Sequence, residues 1–185
     1  MTDASAINDR ELLAAFKQKA TRNIAFGQIL KAYQKKTYWH IRRIVIDHDD
    51  ADDVVQNTFI KVWENLEHFR GDSQLFTWIF RIATNEALLF LTKKRVGKNI
   101  SLADVDYDLI ETLHSSAYFN GDRAERKLQT AILQLPEKQR LVFNMKYYEN
   151  MKYEEIEAVL GTSVGALKAS YHHAVKKIEE FLKRD

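Results

Sequence analysis

Asp50 to Arg95 reads DADDVVQNTFIKVWENLEHFRGDSQLFTWIFRIATNEALLFLTKKR, and the fold turns on this stretch. Val55, Phe59, Val62 and Leu66 recur at spacings of four, three and four. That is the period of an α-helical stripe facing a core. Asp53, Gln56, Asn57, Ile60 and Glu64 fall on or beside the other face and are free for a partner. Phe69-Arg70-Gly71-Asp72-Ser73 then makes a turn. Gly71 supplies a backbone angle that side chains disfavour, and Asp72 or Ser73 is the expected N-cap of the next helix. In that helix Thr77, Arg81, Thr84, Asn85 and Thr92 are expected on a polar side. Leu75, Trp78, Ile79, Ile82, Ala83 and Phe90 are expected on the apolar one. Two helices joined by a polar-tipped turn can offer one face to protein and the other to nucleic acid.

On the amino-terminal side, residues 9–19 read as a short helix and 24–46 as a longer one. Ile24, Leu30, Tyr33, Trp39, Ile41, Ile44 and Val45 are among the apolar positions of the longer helix. Asp47-His48-Asp49-Asp50 breaks it, and Asp49 or Asp50 is the expected cap of the helix that follows. On the carboxy-terminal side, residues 97–122 lack a sustained helical period and read as an acidic linker, with room for a short helix around 105–113. Asp122 is placed to cap a helix over 123–135, whose stripe is Leu128, Ala131 or Ile132, and Leu135. Pro136 sits where a first helical turn tolerates it, ahead of a helix over 137–149.

The last block carries a second motif. Tyr153, Ile156 and Leu160 form a short stripe, Gly161 interrupts, and Val164, Leu167, Tyr171, Ala174, Ile178 and Phe181 form a longer one. Two helices joined by a short turn containing Gly match a helix-turn-helix. Ser163 is the expected N-cap of the second helix, whose free N–H groups can hold a phosphate. Gly165, Lys168, Ala169, His172 and Lys176 lie away from the core stripe. Small residues early in such a helix let it approach a major groove, and longer ones then reach base edges. Packing alone would give the same stripes.

Composition bounds the rest. The chain has 185 residues, 45% of them hydrophobic, with no cysteine, one proline and six glycines. That length suits one or two domains, and the scarcity of Pro and Gly speaks against a strand-and-turn protein. Without cysteine there is neither disulfide nor thiolate zinc site, which suits a reducing cytoplasm. MTDASAINDRELL lacks the basic-then-apolar layout of a signal peptide, and no apolar run approaches the ~20 residues of a membrane span. The net charge of +2 hides blocks. Residues 10–46 carry nine basic residues against one acid, and 47–67 carry seven acids against Lys61. Residues 70–98 carry six basic residues against two acids, and 104–122 carry five acids and no base. Such basic blocks either engage phosphates or form solvated helix faces.

Other chemistries fit poorly. A calcium loop begun at Asp47 would place Asp52 and Thr58 where Gly and Glu are needed. His172 and His173 are adjacent, hence about 100° apart on a helix, and cannot readily share a metal. No catalytic triad signature, Gly-rich phosphate loop or His-Glu zinc motif appears. Trp39, Trp63 and Trp78 read as core anchors rather than stacking platforms for bases.

The motifs taken together resemble the bacterial RNA polymerase sigma factors of the extracytoplasmic-function (ECF) type, which keep only the second and fourth sigma domains. The residues that carry the resemblance are Asp50 to Phe59, Phe69 to Ser73, Thr77 to Asn85, Leu135 to Arg140, Tyr153 to Ile156 and Leu160 to Lys168. It implies an all-α protein with a region 2 domain over 1–96, a linker over 97–122 and a region 4 helix-turn-helix domain over 123–185. It implies a transcription initiation factor with no reaction and no cofactor of its own. The partners would be core RNA polymerase, through the β′ clamp helices and the β subunit, promoter DNA and an anti-sigma factor, without membrane insertion. Asp53, Gln56, Asn57, Ile60 and Glu64 would dock on the clamp. Phe69, Arg70, Gly71, Asp72 and Ser73 would take a flipped base of the −10 element, with Arg81, Asn85, Lys93, Lys94 and Arg95 along the melted strand. Thr162, Ser163, Gly165, Lys168, Ala169, His172 and Lys176 would read the −35 element.

Three places depart from the family pattern. Asn57 stands where an acid is common, Leu89 where a polar residue is common, and Ala169 to His173 replace a run that usually contains Arg. Promoter elements two DNA turns apart are separated by about 70 Å. Residues 97–122, fully drawn out, reach roughly 85 Å. Such a linker serves both elements only if held extended, and Asp104, Asp106, Asp108 and Glu111 are expected against basic polymerase surface. The competing expectation is a free-standing helix-turn-helix regulator, which would bind DNA without polymerase.

Overall fold

The computed structural model describes residues 9–98 and 123–183. Its elements are α1 (Asp9–Lys17), α2 (Arg22–Val45), α3 (His48–Asn65), a 3-10 turn (Leu66–His68), α4 (Leu75–Lys98), α5 (Arg123–Leu133), α6 (Glu137–Tyr147), α7 (Tyr153–Leu160) and α8 (Val164–Leu182). No strand occurs among the described residues. Asp122 and the linker acids Asp104, Asp106, Asp108 and Glu111 lie outside them. Gly97 and Lys98, assigned to the linker from composition, continue α4.

Helices α1 to α4 share one core. Val55, Phe59, Val62 and Leu66 are all buried there, as their spacing predicts, beside Phe16, Ile29 and Ile41 from α1 and α2. Each large apolar side chain so buried contributes about 1.5–3 kcal/mol. The α2–α3 corner is tight. Ile46 ends α2 at φ +66°, and its N–H donates to the Arg42 carbonyl at 2.9 Å. A β-branched residue there is strained, and it is held by burial of its side chain. Asp47, not Asp49 or Asp50, caps α3, because its carboxylate accepts from the Asp50 N–H at 3.0 Å. The corner places Asp47 in the extended conformation a cap requires, while Asp49 and Asp50 are already helical.

Gly71 has φ +81°, the left-handed angle its turn demands. The next helix starts later than expected from an Asp72 or Ser73 cap. Gln74 flanks it, its carbonyl accepting from the Trp78 N–H at 3.1 Å. In α4 Arg81, Asn85 and Thr92 are exposed as expected, but Thr77 and Thr84 are only 2% and 1% exposed. Thr84 tolerates such burial because the helix satisfies its hydroxyl. Thr84 donates to the Phe80 carbonyl at 2.7 Å and lies 2.9 Å from His40 Nε2. Trp63 is a core anchor, edge-on to Phe16 and Phe26 at 5.2 and 4.9 Å. Trp39 is not, being 42% exposed, with Tyr38 edge-on to its ring at 5.3 Å. Residues Leu75–Gly97 of α4 reach a mean hydropathy of 1.2, enough by length and composition for a membrane span. Here Ile79, Ala83 and Ala87 place that helix in the core instead.

Helices α5 to α8 form the second unit. Pro136, at φ −51°, precedes α6, and its carbonyl accepts from the Arg140 N–H at 3.0 Å. Gly161 at φ +64° closes α7 and turns the chain into α8. Ser163 occupies the N-cap position with its carbonyl bonded to the Leu167 N–H at 3.0 Å, while its hydroxyl makes no cap bond. Leu167, Ala174 and Ile178 are buried, and Tyr171 and Phe181 partly so, as the α8 stripe requires.

Candidate polymerase and DNA interfaces

Three surfaces gather the residues singled out by the sequence. On α3, Asp53, Gln56, Asn57, Ile60 and Glu64 are all exposed, Ile60 by 55% despite its apolar chain. Beside them a groove of about 500 Å³ runs along the α2–α3 seam, floored by Phe26, Leu30, Val55, Phe59 and Trp63. A polar rim of Gln34, Gln56 and Glu64 over an apolar floor suits the face of a partner helix.

The second surface is a cavity of about 410 Å³ at the turn before α4. Phe69, Arg70, Asp72, Ser73 and Arg81 line it, and Gly71 lies in the loop that shapes it. His68, Thr77, Trp78 and Ala158 also line it and were missed. Trp78 gave a signal, since it sits one helical turn before Arg81 on an otherwise apolar face. Its ring packs at 5.2 Å from that of Phe69, leaving an aromatic wall with two arginines and a carboxylate around it. Such a mixture can stack a base and hydrogen-bond its edge. Farther along α4, Asn85 and Lys93 are exposed and Arg95 is half-buried. Lys94 is placed differently, because its ammonium donates to Asp50 at 2.5 Å and ties α4 to the start of α3. Lys61 and Glu86 pin the same helix pair at 2.5 Å.

The third surface is α8. Ser163, Gly165, Lys168, Ala169, His172 and Lys176 are exposed along its outer face, and Thr162 is half-buried in the turn. Small residues lead and cations follow, and no side-chain cap from Ser163 occupies the N-terminus of the helix. Lys168 lies 5.8 Å from the Tyr153 ring, which steadies its long chain above α7.

His40, Arg42 and Arg140 are buried titratable groups among the described residues. His40 is wholly enclosed, its ring stacked on Phe80 at 4.4 Å. Burial, and then the neighbouring Arg43 charge, lowers its pKa from 6.5 to about 3. Because the Thr84 hydroxyl proton goes to the Phe80 carbonyl, His40 Nε2 is the donor in their contact.

The Sigma-70 region 2 family model matches residues 29–96, and that of Sigma-70, region 4 matches residues 125–178. RNA polymerase sigma-H factor of Pseudomonas aeruginosa is 31% identical over 174 residues, covering 85% of this chain and 86% of that protein. The chain belongs to the sigma-70 family. Among its relatives, ECF RNA polymerase sigma-E factor of Haemophilus influenzae is 28% identical over 186 residues, 95% of this chain and 96% of that one. The sigma factor fold also matches the solved structure of CnrH in complex with the cytosolic domain of CnrY. There the TM-score is 0.69 and the identity 26%, covering 96% of this chain and 98% of that one. The protein is therefore an ECF sigma factor, a transcription initiation factor that directs RNA polymerase to promoters. A free-standing helix-turn-helix regulator does not account for the match to region 2, which spans the α3 and loop surfaces.

Proposed function

We propose that the three surfaces divide the work of this sigma factor. The α3 row Asp53, Gln56, Asn57, Ile60 and Glu64 docks on the β′ clamp helices of core polymerase. The loop cavity with Arg70, Asp72 and Trp78 captures an unpaired −10 base, and Arg81, Asn85, Lys93 and Arg95 follow the strand's phosphates. The outer face of α8 reads the −35 element in the major groove. The factor carries no reaction of its own, acts in the cytoplasm, and takes an anti-sigma factor as an inhibitory partner. A region 2 unit before residue 97 and a region 4 unit after residue 122 divide these tasks.

The observation that supports this reading best is the α3 row, where polar residues and the exposed Ile60 border an apolar groove while the opposite stripe is buried. Replacing Asp53 and Gln56 together by Ala leaves the core stripe untouched. Each lost polar anchor in a desolvated interface costs about 2 kcal/mol. Core-polymerase affinity of the double variant, measured by fluorescence anisotropy, should therefore fall steeply while far-UV circular dichroism stays the same. Wild-type affinity in that variant rules out docking through α3.

A further inference from the structure

The two units touch, although the promoter elements they read lie about 70 Å apart. Phe80 of α4 has no exposed surface, because it sits in a cluster with Val142, Met145, Ile156 and Leu167 of the second unit. In return, Leu133 and Leu141 belong to the core of the first. A polar contact closes the seam. Arg43 of α2 donates to the Glu149 carboxylate at 2.5 Å, with only 22% and 9% of the two side chains exposed. The Arg43 guanidinium also lies 4.3 Å from the centre of the Tyr148 ring. The next residue, Asn150, is left-handed at φ +51°, which turns the chain sharply just after Glu149. Above the seam, Ala158 of α7 forms one wall of the loop cavity that Arg81 and Trp78 line.

We propose that the second unit serves as an intramolecular cover for the −10 cavity, latched by Arg43 and Glu149, and that the latch must open before the factor can span a promoter. The inference rests on the −10 and −35 assignments made above. With α7 against α4, a single strand cannot run from the cavity past Ala158. With the units in contact, α8 cannot lie two DNA turns away from the loop. Opening exposes Phe80 to water and separates a carboxylate from a guanidinium that shields it, so the closed form is the resting one. Removing either charge strands the other in a site with little water, which is why this pair governs the balance.

The absence of cysteine makes the test direct. Dyes attached to cysteines placed at the exposed Asn23 and Lys177 report the separation of the units in the full chain by energy transfer. Wild type should give one high-transfer population. Glu149→Arg should raise the low-transfer population about tenfold or more, and strengthen polymerase-free binding of a single-stranded −10 oligonucleotide by a similar factor. The exchanged pair, Arg43→Glu with Glu149→Arg, should restore both readings. Unchanged transfer in Glu149→Arg, or a wild type already dominated by low transfer, overturns the latch. Transfer that changes without any gain in strand binding leaves the latch standing and overturns the −10 assignment of the cavity, together with the cover built on it. If Glu149→Arg does not fold, the milder Glu149→Gln takes its place, and a wild-type transfer distribution in that variant overturns the latch equally.

Discussion

Acidification should weaken this protein through His40 by an amount the structure sets. The ring is enclosed between α2 and α4, with Arg43 as the neighbouring charge, and its pKa falls from 6.5 to about 3. A group whose folded pKa is depressed contributes stability that is present above its unfolded pKa and lost as pH falls toward the folded value. The window therefore runs from about pH 6.5 down to about pH 3. At about pH 5.5 the unfolded chain binds the proton in roughly ten of eleven molecules while the native state refuses it, a loss of about 1 kcal/mol. The full shift would amount to about 5 kcal/mol, an upper bound. Urea unfolding, followed by tryptophan fluorescence at about pH 7.5 and about pH 5.5, measures the change. His40→Gln keeps a polar side chain near Thr84 and removes the titration, so groups shared by both proteins cancel. Wild type should lose about 1 kcal/mol more than the variant between the two conditions. Equal losses would mean that His40 is not held neutral by burial.

Asp47→Ala should cost about 1 kcal/mol in thermal unfolding, because it removes the cap from α3, whereas Asp49→Ala should cost little. Gly71→Ala meets no atom within 4 Å of the new Cβ but must adopt φ +81°. It should therefore cost about 1 kcal/mol or reshape the loop, and a promoter library should show altered −10 preference with −35 preference kept. Lys168→Ala should relax the −35 sequence preference by about 1–3 kcal/mol if the residue reaches a base. If it reaches a phosphate, binding should instead weaken evenly over sequences and the salt slope should shrink by about one. Both are read from filter binding of holoenzyme to variant promoters at several salt concentrations.

The stripes of α3 and α8 were legible because burial repeats with the helical period, as Val55, Phe59, Val62 and Leu66 and then Leu167, Ala174 and Ile178 show. Gly71 and Gly161 were legible because only their left-handed angles explain a glycine at those turns. What could not be read is what depends on tertiary neighbours. Thr77 and Thr84 look polar in a row of letters but are buried, Thr84 with its hydroxyl satisfied by its own helix. Trp39 looks like a core residue, but it lies outside the packed stripe of α2. Lys94 counts as one more cation on the DNA side until the fold brings Asp50 against it, 44 residues away in sequence. The contacts of Arg43 with Glu149 and of Ala158 with the loop cavity join segments with no shared period, so no local pattern announces them.

Helix α4 meets different neighbours on several sides, leaving Asn85, Thr92 and Lys93 exposed. Ile79, Ala83 and Ala87 face the first core, Phe80 enters the second unit, and Trp78 and Arg81 line the loop cavity. Neighbouring positions differ by about 100° of rotation, so consecutive residues answer to different neighbours. A change that suits one of them is seen by the others through the rigid helix. Drift in this segment should therefore be slow and correlated, with new promoter preferences arising more readily in the loop before the helix, or on α8, than within α4 itself.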